Sequence, residues 1–213
     1  MTVRRITTSV AALGLAVASA LAVAPSASAH SANHGPSGTR SLAAVLAKDG
    51  SGFDRNWEDF DIVDNAVHAV LTANPDSPVA VLADGTVPLT AFLPTDRAFR
   101  RLASDLTGKT YTSESAVFAD VASLGIPTVE AVLLYHVVPG ATITYRQALR
   151  ADGVTLTTAS GGTVTVNVVS RHVVCLKDAD PNDANARVVA PDINKGNVQI
   201  AHGVSEVLRP LDL

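Results

Sequence analysis

The stretch Thr90–Leu102, TAFLPTDRAFRRL, joins an apolar run to a helix with a basic face. The run ends at Pro94, and Thr95 and Asp96 follow it, two residue types that commonly cap a helix N-terminus. Such strand-to-helix junctions also bind phosphate in many proteins. A phosphate loop needs glycines so that its backbone can approach the ligand, and this junction has none. The stretch therefore predicts a structural cap, made by Thr95 or Asp96.

The predicted helix carries Arg97, Arg100 and Arg101 within five residues. A solvated helix face is the simpler interpretation of such a group. Contact with an acidic glycan or an anionic envelope polymer is the alternative, because clustered arginines attract anions. The sequence leaves both interpretations open.

Two helices are predicted before this stretch. A short one lies near Leu42–Leu46, and a stronger one has an apolar stripe with Asp59 and Asp61 in its first turn. The stripe consists of Ile62, Val63, Ala66, Val67, Val70 and Leu71. Between this helix and Thr90, the apolar segments 79–83 and 87–93 flank Asp84-Gly85 and predict a hairpin.

After the junction, IPTVEAVLLYHVVPG (126–140) predicts a helix that ends at Pro139-Gly140. His136 lies on its apolar stripe, which favours a buried histidine. Tyr135 lies one helical step round, about 100°, towards the edge of the stripe. A tyrosine there packs in the core or at its rim, or it contacts a partner, since tyrosines are enriched in binding hot spots. We therefore treat Tyr135 and His136 as candidate partner-binding residues, together with the three arginines.

The rest of the chain is rich in β-branched residues and predicts strands. The segments are 154–158, 163–169, 172–176, 187–190 and 198–208, with a tight-turn signal at Gly161-Gly162. Helices followed by strands indicate an α+β fold, in which N-terminal helices pack on a mostly antiparallel β-sandwich or wedge. We expect a single domain over residues 42–213.

The N-terminal 29 residues have the layout of a secretory signal peptide. Arg4 and Arg5 precede an apolar stretch, and Ala27-Ser28-Ala29 offers a cleavage site. Residues 30–41 are polar and aperiodic and predict a flexible leader. Loss of two of the 16 basic residues leaves 14 against 20 acidic ones, a net charge of −6. This balance argues against nucleic acid, and the absence of a later long apolar segment argues against a stable membrane span.

Three segments together resemble the motifs of the fasciclin domain family. The first is TAFLPTDRAFRRL, with Thr90, Phe92, Pro94, Thr95, Asp96 and Phe99. The second, LLYHVVPG (133–140), is similar to the family's Tyr-His segment. The third, NVQIAHGVSEVLRP (197–210), resembles the motif with a strand histidine, here His202, followed by Val-Leu-x-Pro ending at Pro210. The order and spacing of the three segments also match.

The resemblance implies a non-catalytic, secreted or surface-displayed module that binds an extracellular protein, glycan or envelope polymer in adhesion. It implies no cofactor. In animal members the Tyr-His segment has been linked to integrin binding. This chain departs from the pattern in two places. Ser205 replaces the usual aspartate three residues after His202, and one extra residue lies between Asn197 and His202, which puts the local strand geometry in question.

Two other functions would each require a further feature. A secreted hydrolase would need His202 to serve Ser205, yet residues three apart on a strand point to opposite faces unless the strand is bulged at Gly203. A carrier of a small apolar ligand would need a large closed cavity. Neither is favoured.

Metal binding is not expected from sequence. Asp178, Asp180 and Asp183 offer oxygen ligands, but the loop lacks the glycine turn and late glutamate of a calcium loop. A solvated acidic loop is the preferred interpretation. Cys175, the only cysteine, is predicted to be a small buried hydrophobic residue in a strand.

Overall fold

A computed structural model of the chain describes residues 38–48, 50 and 52–211. The predicted signal peptide and residues 30–37 of the predicted leader lie outside the described residues. The helices are α1, Leu42–Leu46; α2, Asp61–Ala73; a 3₁₀ helix, Pro78–Ala83; α3, Asp96–Thr107; α4, Glu114–Ala122; α5, Ile126–Tyr135; and α6, Tyr145–Ala148. The strands are β1, Leu89–Pro94; β2, Val137–Pro139; β3, Thr155–Thr157; β4, Thr163–Ser170; β5, Val173–Lys177; β6, Ala186–Ile193; and β7, Gln199–Val204.

These strands form one sheet in the order β2-β1-β7-β6-β5-β4-β3. The pair of β1 and β7 is parallel, and the other adjacent pairs are antiparallel. Near the two outer strands, the N–H of Ala159, which follows β3, donates to the carbonyl of Val137 in β2 at 2.7 Å. The sheet therefore curls so that its edges approach each other. The predicted α+β class with a mostly antiparallel sheet is confirmed.

Two apolar cores lie on either side of β1. The larger one packs α2 to α5 against the sheet, with Ile62, Val67, Phe99, Val117 and Leu133 among its members. The second fills the inside of the curled half and includes Phe92, Tyr135, Val166, Leu176 and Leu208. Residues of β1 enter both cores alternately, which is why every residue of this strand is buried.

Three predictions about local structure were wrong. Residues 79–83 are not a hairpin strand, because Pro78–Ala83 forms a 3₁₀ helix that Ser77 caps. The carbonyl groups of Val81 and Asp84 are bound by the side-chain amide of Gln199, at 2.8 and 2.7 Å. This buried amide holds the segment against β7 instead of against β1.

The helix predicted over 126–140 ends at Tyr135, ten residues after Ile126. The next three residues, Val137–Pro139, form β2 because their backbone pairs with Leu89–Ala91 of β1. β-Branched Val137 and Val138 suit this conformation. The proline and glycine therefore end a strand instead of a helix.

The described part of the predicted leader is attached to the domain. Gly38 forms a parallel bridge with Asn197, and its N–H donates to the carbonyl of Gly196 at 3.0 Å. The Arg40 side chain donates to Asn194 at 2.9 Å, and Asn194 donates back to the Arg40 carbonyl at 2.7 Å. Residues 38–41 thus belong to the folded unit.

Candidate binding surface and the polar groups around it

The β1–α3 junction is capped as predicted. The Thr95 hydroxyl accepts from the N–H of Ala98 at 3.3 Å, which caps α3. Asp96 has a different partner, because its carboxylate accepts from the N–H of Ile62 in the first turn of α2 at 2.9 Å. The junction motif therefore joins the starts of two helices. It does not form a ligand loop.

The other motif residues of this stretch are also structural. The Thr90 hydroxyl donates to the Ala141 carbonyl at 2.7 Å and accepts from the N–H of Ile143 at 2.8 Å. The rings of Phe92 and Phe99 are buried in the two cores. Pro94 ends β1 and is itself buried.

Tyr135 packs in the core, which is one of the interpretations that the sequence leaves open. Its side chain is 1% exposed, and its hydroxyl donates to the carbonyl of Thr163 at 2.7 Å. The end of α5 turns the ring into the second core, where it packs against Gly162. A Cβ atom at Gly162 would lie only 2.7 Å from the ring. The phenol therefore links α5 to the turn before β4.

His136 is buried, and both of its ring nitrogens have backbone partners. Nε2 accepts from the N–H of Leu208 at 2.8 Å, so Nδ1 carries the proton and donates to the Val132 carbonyl at 2.7 Å. Burial lowers the pKa of His136 from 6.5 to about 4. The neutral imidazole ties the end of α5 to the C-terminal motif.

His202 and Ser205 do not form a catalytic pair. The His202 ring lies between the N–H of Asp192, at 3.2 Å, and the carbonyl of Ile143, at 2.8 Å. The Ser205 hydroxyl accepts from the N–H of Arg187 at 3.0 Å. Both side chains are thus committed to backbone groups of different segments, which leaves no nucleophile–base contact between them.

The departures from the family pattern leave β7 regular. Its six residues pair in continuous register with β1. The irregular pairing lies on its other side, where β6 shifts register between Val188 and Ile193. Ser205 occupies the position of the usual aspartate and binds the β6 backbone through its hydroxyl. A short polar group is therefore sufficient at this position.

The acidic loop 178–183 is not simply solvated. Asp180 is 3% exposed, and Arg209 contacts three carboxylates, those of Asp180 at 3.3 Å, Asp183 at 3.1 Å and Asp105 at 3.0 Å. Asp178 accepts from the Arg209 N–H at 2.7 Å. The loop thus anchors the residue before Pro210, which explains its carboxylates without a metal ion.

Cys175 is partly exposed instead of buried. Burial still raises the pKa of its thiol. Its neighbours across the sheet are Asn167 and Arg187.

An apolar cavity of about 40 Å³ lies between α2, α5 and β1. Ligand pockets for small molecules are usually about 300–1,000 Å³. This cavity therefore gives no support to the carrier interpretation.

The exposed face at the start of α3 is the best candidate for recognition. The Arg100 guanidinium stacks over the Trp57 ring with 4.3 Å to the ring centre. Arg97 pairs with Glu58, and Arg101 pairs with Glu206. We call Trp57, Arg97, Arg100 and Arg101 the α3 surface.

Arg100 differs from the other two arginines of this surface. No carboxylate forms an ion pair with it among the residues that the structure describes, whereas Arg97 and Arg101 each have one. Its charge is held in place by the half-buried Trp57 ring. A fixed guanidinium on a tryptophan ring combines two of the residue types that are enriched in binding hot spots.

The fold and its polar groups define a scaffold-type domain. The buried histidines and Tyr135 bind backbone groups of the same chain, and the loop carboxylates bind Arg209. The family model of the fasciclin domain matches residues 65–210. This match covers more than half of the chain, and the chain belongs to the fasciclin domain family. Fasciclin domains are generally non-catalytic modules of cell adhesion, typically extracellular or on the cell surface.

One solved structure that is similar to this chain is a FAS1 domain pair from the insect cell adhesion molecule Fasciclin I. The identity is 16% and the TM-score 0.44, with 68% of this chain and 44% of that chain covered. The chain thus spans less than half the length of that domain pair. No curated protein matches the chain. Among the described residues no single helix is long and apolar enough to cross a membrane, although α4 and α5 taken together as a bent pair meet that requirement.

Proposed function

We propose that this protein is a secreted or cell-surface binding module that adheres to an anionic extracellular polymer through the α3 surface. The observation that carries the proposal is the Arg100–Trp57 stack, a half-buried cation at the surface without a carboxylate ion-pair partner among the described residues. Acidic glycans and anionic envelope polymers present the repeated negative charges that such a group would contact.

The ion pair of Arg97 supports this role. Arg97 is bound to the exposed Glu58, and surface pairs of this kind contribute only about 0–1 kcal/mol. An anionic ligand can therefore replace this glutamate at small cost, whereas Arg101 stays bound to Glu206, whose side chain is only 14% exposed. In this proposal Tyr135 and His136 contribute by holding the fold, since both are buried.

The test measures binding of the purified protein to a panel of acidic and neutral polysaccharides by biolayer interferometry. Arg100→Glu should weaken binding to the acidic polymers at least about tenfold, the effect of losing a contact worth about 1.4 kcal/mol. Arg146→Glu makes the same charge change at an exposed arginine of α6 and should leave binding within about twofold. Binding should also weaken as salt rises, because exposed charges are screened.

If Arg100→Glu and Arg146→Glu weakened binding to the acidic polymers equally, binding would depend on net charge and not on the α3 surface. Binding to neutral and acidic polymers alike, unaffected by Arg100→Glu, would also contradict the proposal. Turnover of any of these polymers would contradict the non-catalytic part.

A further inference from the structure

A buried group of carboxylates lies where three helices begin. α2 begins at Asp61, α3 at Asp96 and α4 at Glu114. Asp59, Asp96 and Glu114 each contribute one carboxylate oxygen, and these three oxygens lie within 4.8 Å of one another. We call Asp59, Asp96 and Glu114 the acidic cluster. Its members are far apart in sequence, and only the packing of these helix starts brings them together.

The acidic cluster has unsatisfied hydrogen-bonding capacity. Asp96 and Glu114 are both 0% exposed. Neither oxygen of Glu114 accepts a hydrogen bond of regular geometry from the described residues. The N–H of Asp54 lies close enough to favour the charged form of Glu114, but it does not meet that geometry. Asp96 accepts from the N–H of Ile62 through one oxygen and shares a further hydrogen bond with Asp59. A buried carboxylate without a partner is strongly unfavourable, so Glu114 requires a proton, a water molecule or a cation.

Positive side chains do not neutralise the acidic cluster. Across the described residues no lysine or arginine forms an ion pair with Asp96 or Glu114. The nearby helix N-termini favour negative charge, but each amounts to only about half a unit charge. Three buried carboxylates therefore need either bound protons or a cation.

The cluster adjoins a second group of carboxylates that reaches the surface. Asp59 belongs to a second group, with Asp54 and Asp61, whose ligand oxygens likewise lie within 4.8 Å of one another. Asp54 is exposed, whereas Asp59 and Asp61 are buried. Carboxylates thus continue from the surface at Asp54 to Glu114 in the interior, which offers an ion further ligands.

We propose that the acidic cluster binds a calcium ion. Calcium takes six to eight oxygen ligands at about 2.3–2.6 Å, so two oxygens on opposite sides of the ion are separated by about 4.6–5.2 Å. Oxygens within 4.8 Å of one another are compatible with this span. Water and the carboxylates of Asp54 or Asp61 would complete the coordination.

Without a metal ion, protons must neutralise the carboxylates of the acidic cluster. Burial raises the pKa of Asp96 to about 8, with its hydrogen bond to Asp59 acting in the same direction, and burial also raises the pKa of Glu114. A cluster held by protons alone is therefore the competing account. The two accounts differ in whether a metal ion changes the stability of the protein.

Direct binding is measured with terbium, a luminescent substitute for calcium. Trp57 is the only tryptophan of the chain and lies two residues from Asp59, so its excitation should sensitise terbium in the acidic cluster. We expect terbium emission that calcium suppresses. Calcium should also raise the melting temperature by roughly 3–10 °C at about 10 mM, given dissociation constants of about 10⁻⁴–10⁻³ M for extracellular calcium modules.

Variants locate the site. Glu114→Gln keeps the shape of the side chain but removes its charge, and it should abolish both the emission and the rise in melting temperature. Because it also removes a buried charge, it should fold and should not melt below the calcium-free wild type. Asp183→Asn, in the acidic loop beside Arg209, is the matched control and should retain both signals.

Each other result overturns the proposal. No emission and no rise in melting temperature with the wild type means that protons alone hold the cluster. Signals lost in Asp183→Asn but kept in Glu114→Gln place the ion in the 178–183 loop. A rise in melting temperature with magnesium, but none with calcium, would show that the site does not bind calcium. Because these measurements use no polymer, they are independent of the function proposed above.

Discussion

The neutral state of His136 should make the stability of the protein depend on pH. Its Nε2 atom accepts from the Leu208 N–H at 2.8 Å, so a second proton on the ring would break this bond and place a charge in the core. In the folded protein the pKa is about 4, against 6.5 for an unperturbed histidine. The unfolded chain therefore binds a proton as the pH falls through 6.5, while the folded protein stays neutral until about pH 4.

The sign and size of the effect follow from proton linkage. Where the unfolded state binds more protons, the free energy of unfolding falls as the pH falls, by at most about 1.4 kcal/mol per pH unit. Between pH 6.5 and pH 4 this amounts to about 3 kcal/mol. Above about pH 7.5 the contribution of His136 is constant. For a protein of this size the loss corresponds to a decrease in melting temperature of roughly 6–12 °C.

The measurement compares wild type with His136→Gln by urea denaturation at several pH values from 7.5 to 4.5. Glutamine can accept from Leu208 but does not titrate, so the variant should be less stable than wild type at pH 7.5. The difference should shrink as the pH falls. Other buried groups, including His202, Asp96 and Glu114, titrate in both proteins, so the difference isolates His136. His172→Gln, at an exposed histidine, serves as the control.

A constant difference between wild type and His136→Gln across this pH range would refute the reasoning. It would mean that the folded protein accepts a proton on His136 as readily as the unfolded chain does.

Three further predictions concern stability, measured by urea denaturation. Arg209→Ala should lower the free energy of unfolding by about 3–5 kcal/mol because it leaves buried carboxylates unpaired. Asp105→Ala removes a partner of Arg209 whose side chain is 58% exposed, so it should lower this free energy by under about 1 kcal/mol. Similar losses in the two variants would contradict this prediction. Gly162→Ala should cost about 1–3 kcal/mol, since its Cβ would lie 2.7 Å from the Tyr135 ring, and a neutral effect would show that the turn yields easily. Thr95→Ala should cost about 1 kcal/mol through loss of the α3 cap, while Thr95→Ser should be nearly neutral.

Much of the fold could be predicted from the sequence because it depends on local signals. The apolar stripe of α2, the cap at Thr95 and the β-branched runs of the later strands each depend on neighbours within a few residues. Local reasoning missed α4, whose apolar residues form no clear stripe, and continued α5 to residue 140. There the pairing of Val137–Pro139 with β1 decided the conformation, and this pairing joins segments almost fifty residues apart.

Local patterns along the chain establish the family, the α+β class and the order of most helices and strands, since capping and periodicity are properties of short segments. Contacts between distant segments determine which polar side chains are exposed. Tyr135 was turned into the core by the end of α5, and Arg209 gathered the 178–183 carboxylates. The convergence of three helix starts created the acidic cluster from residues 59, 96 and 114. Burial and proximity are set by contacts across long stretches of chain, and those contacts determine the charge state of each group and what it can bind.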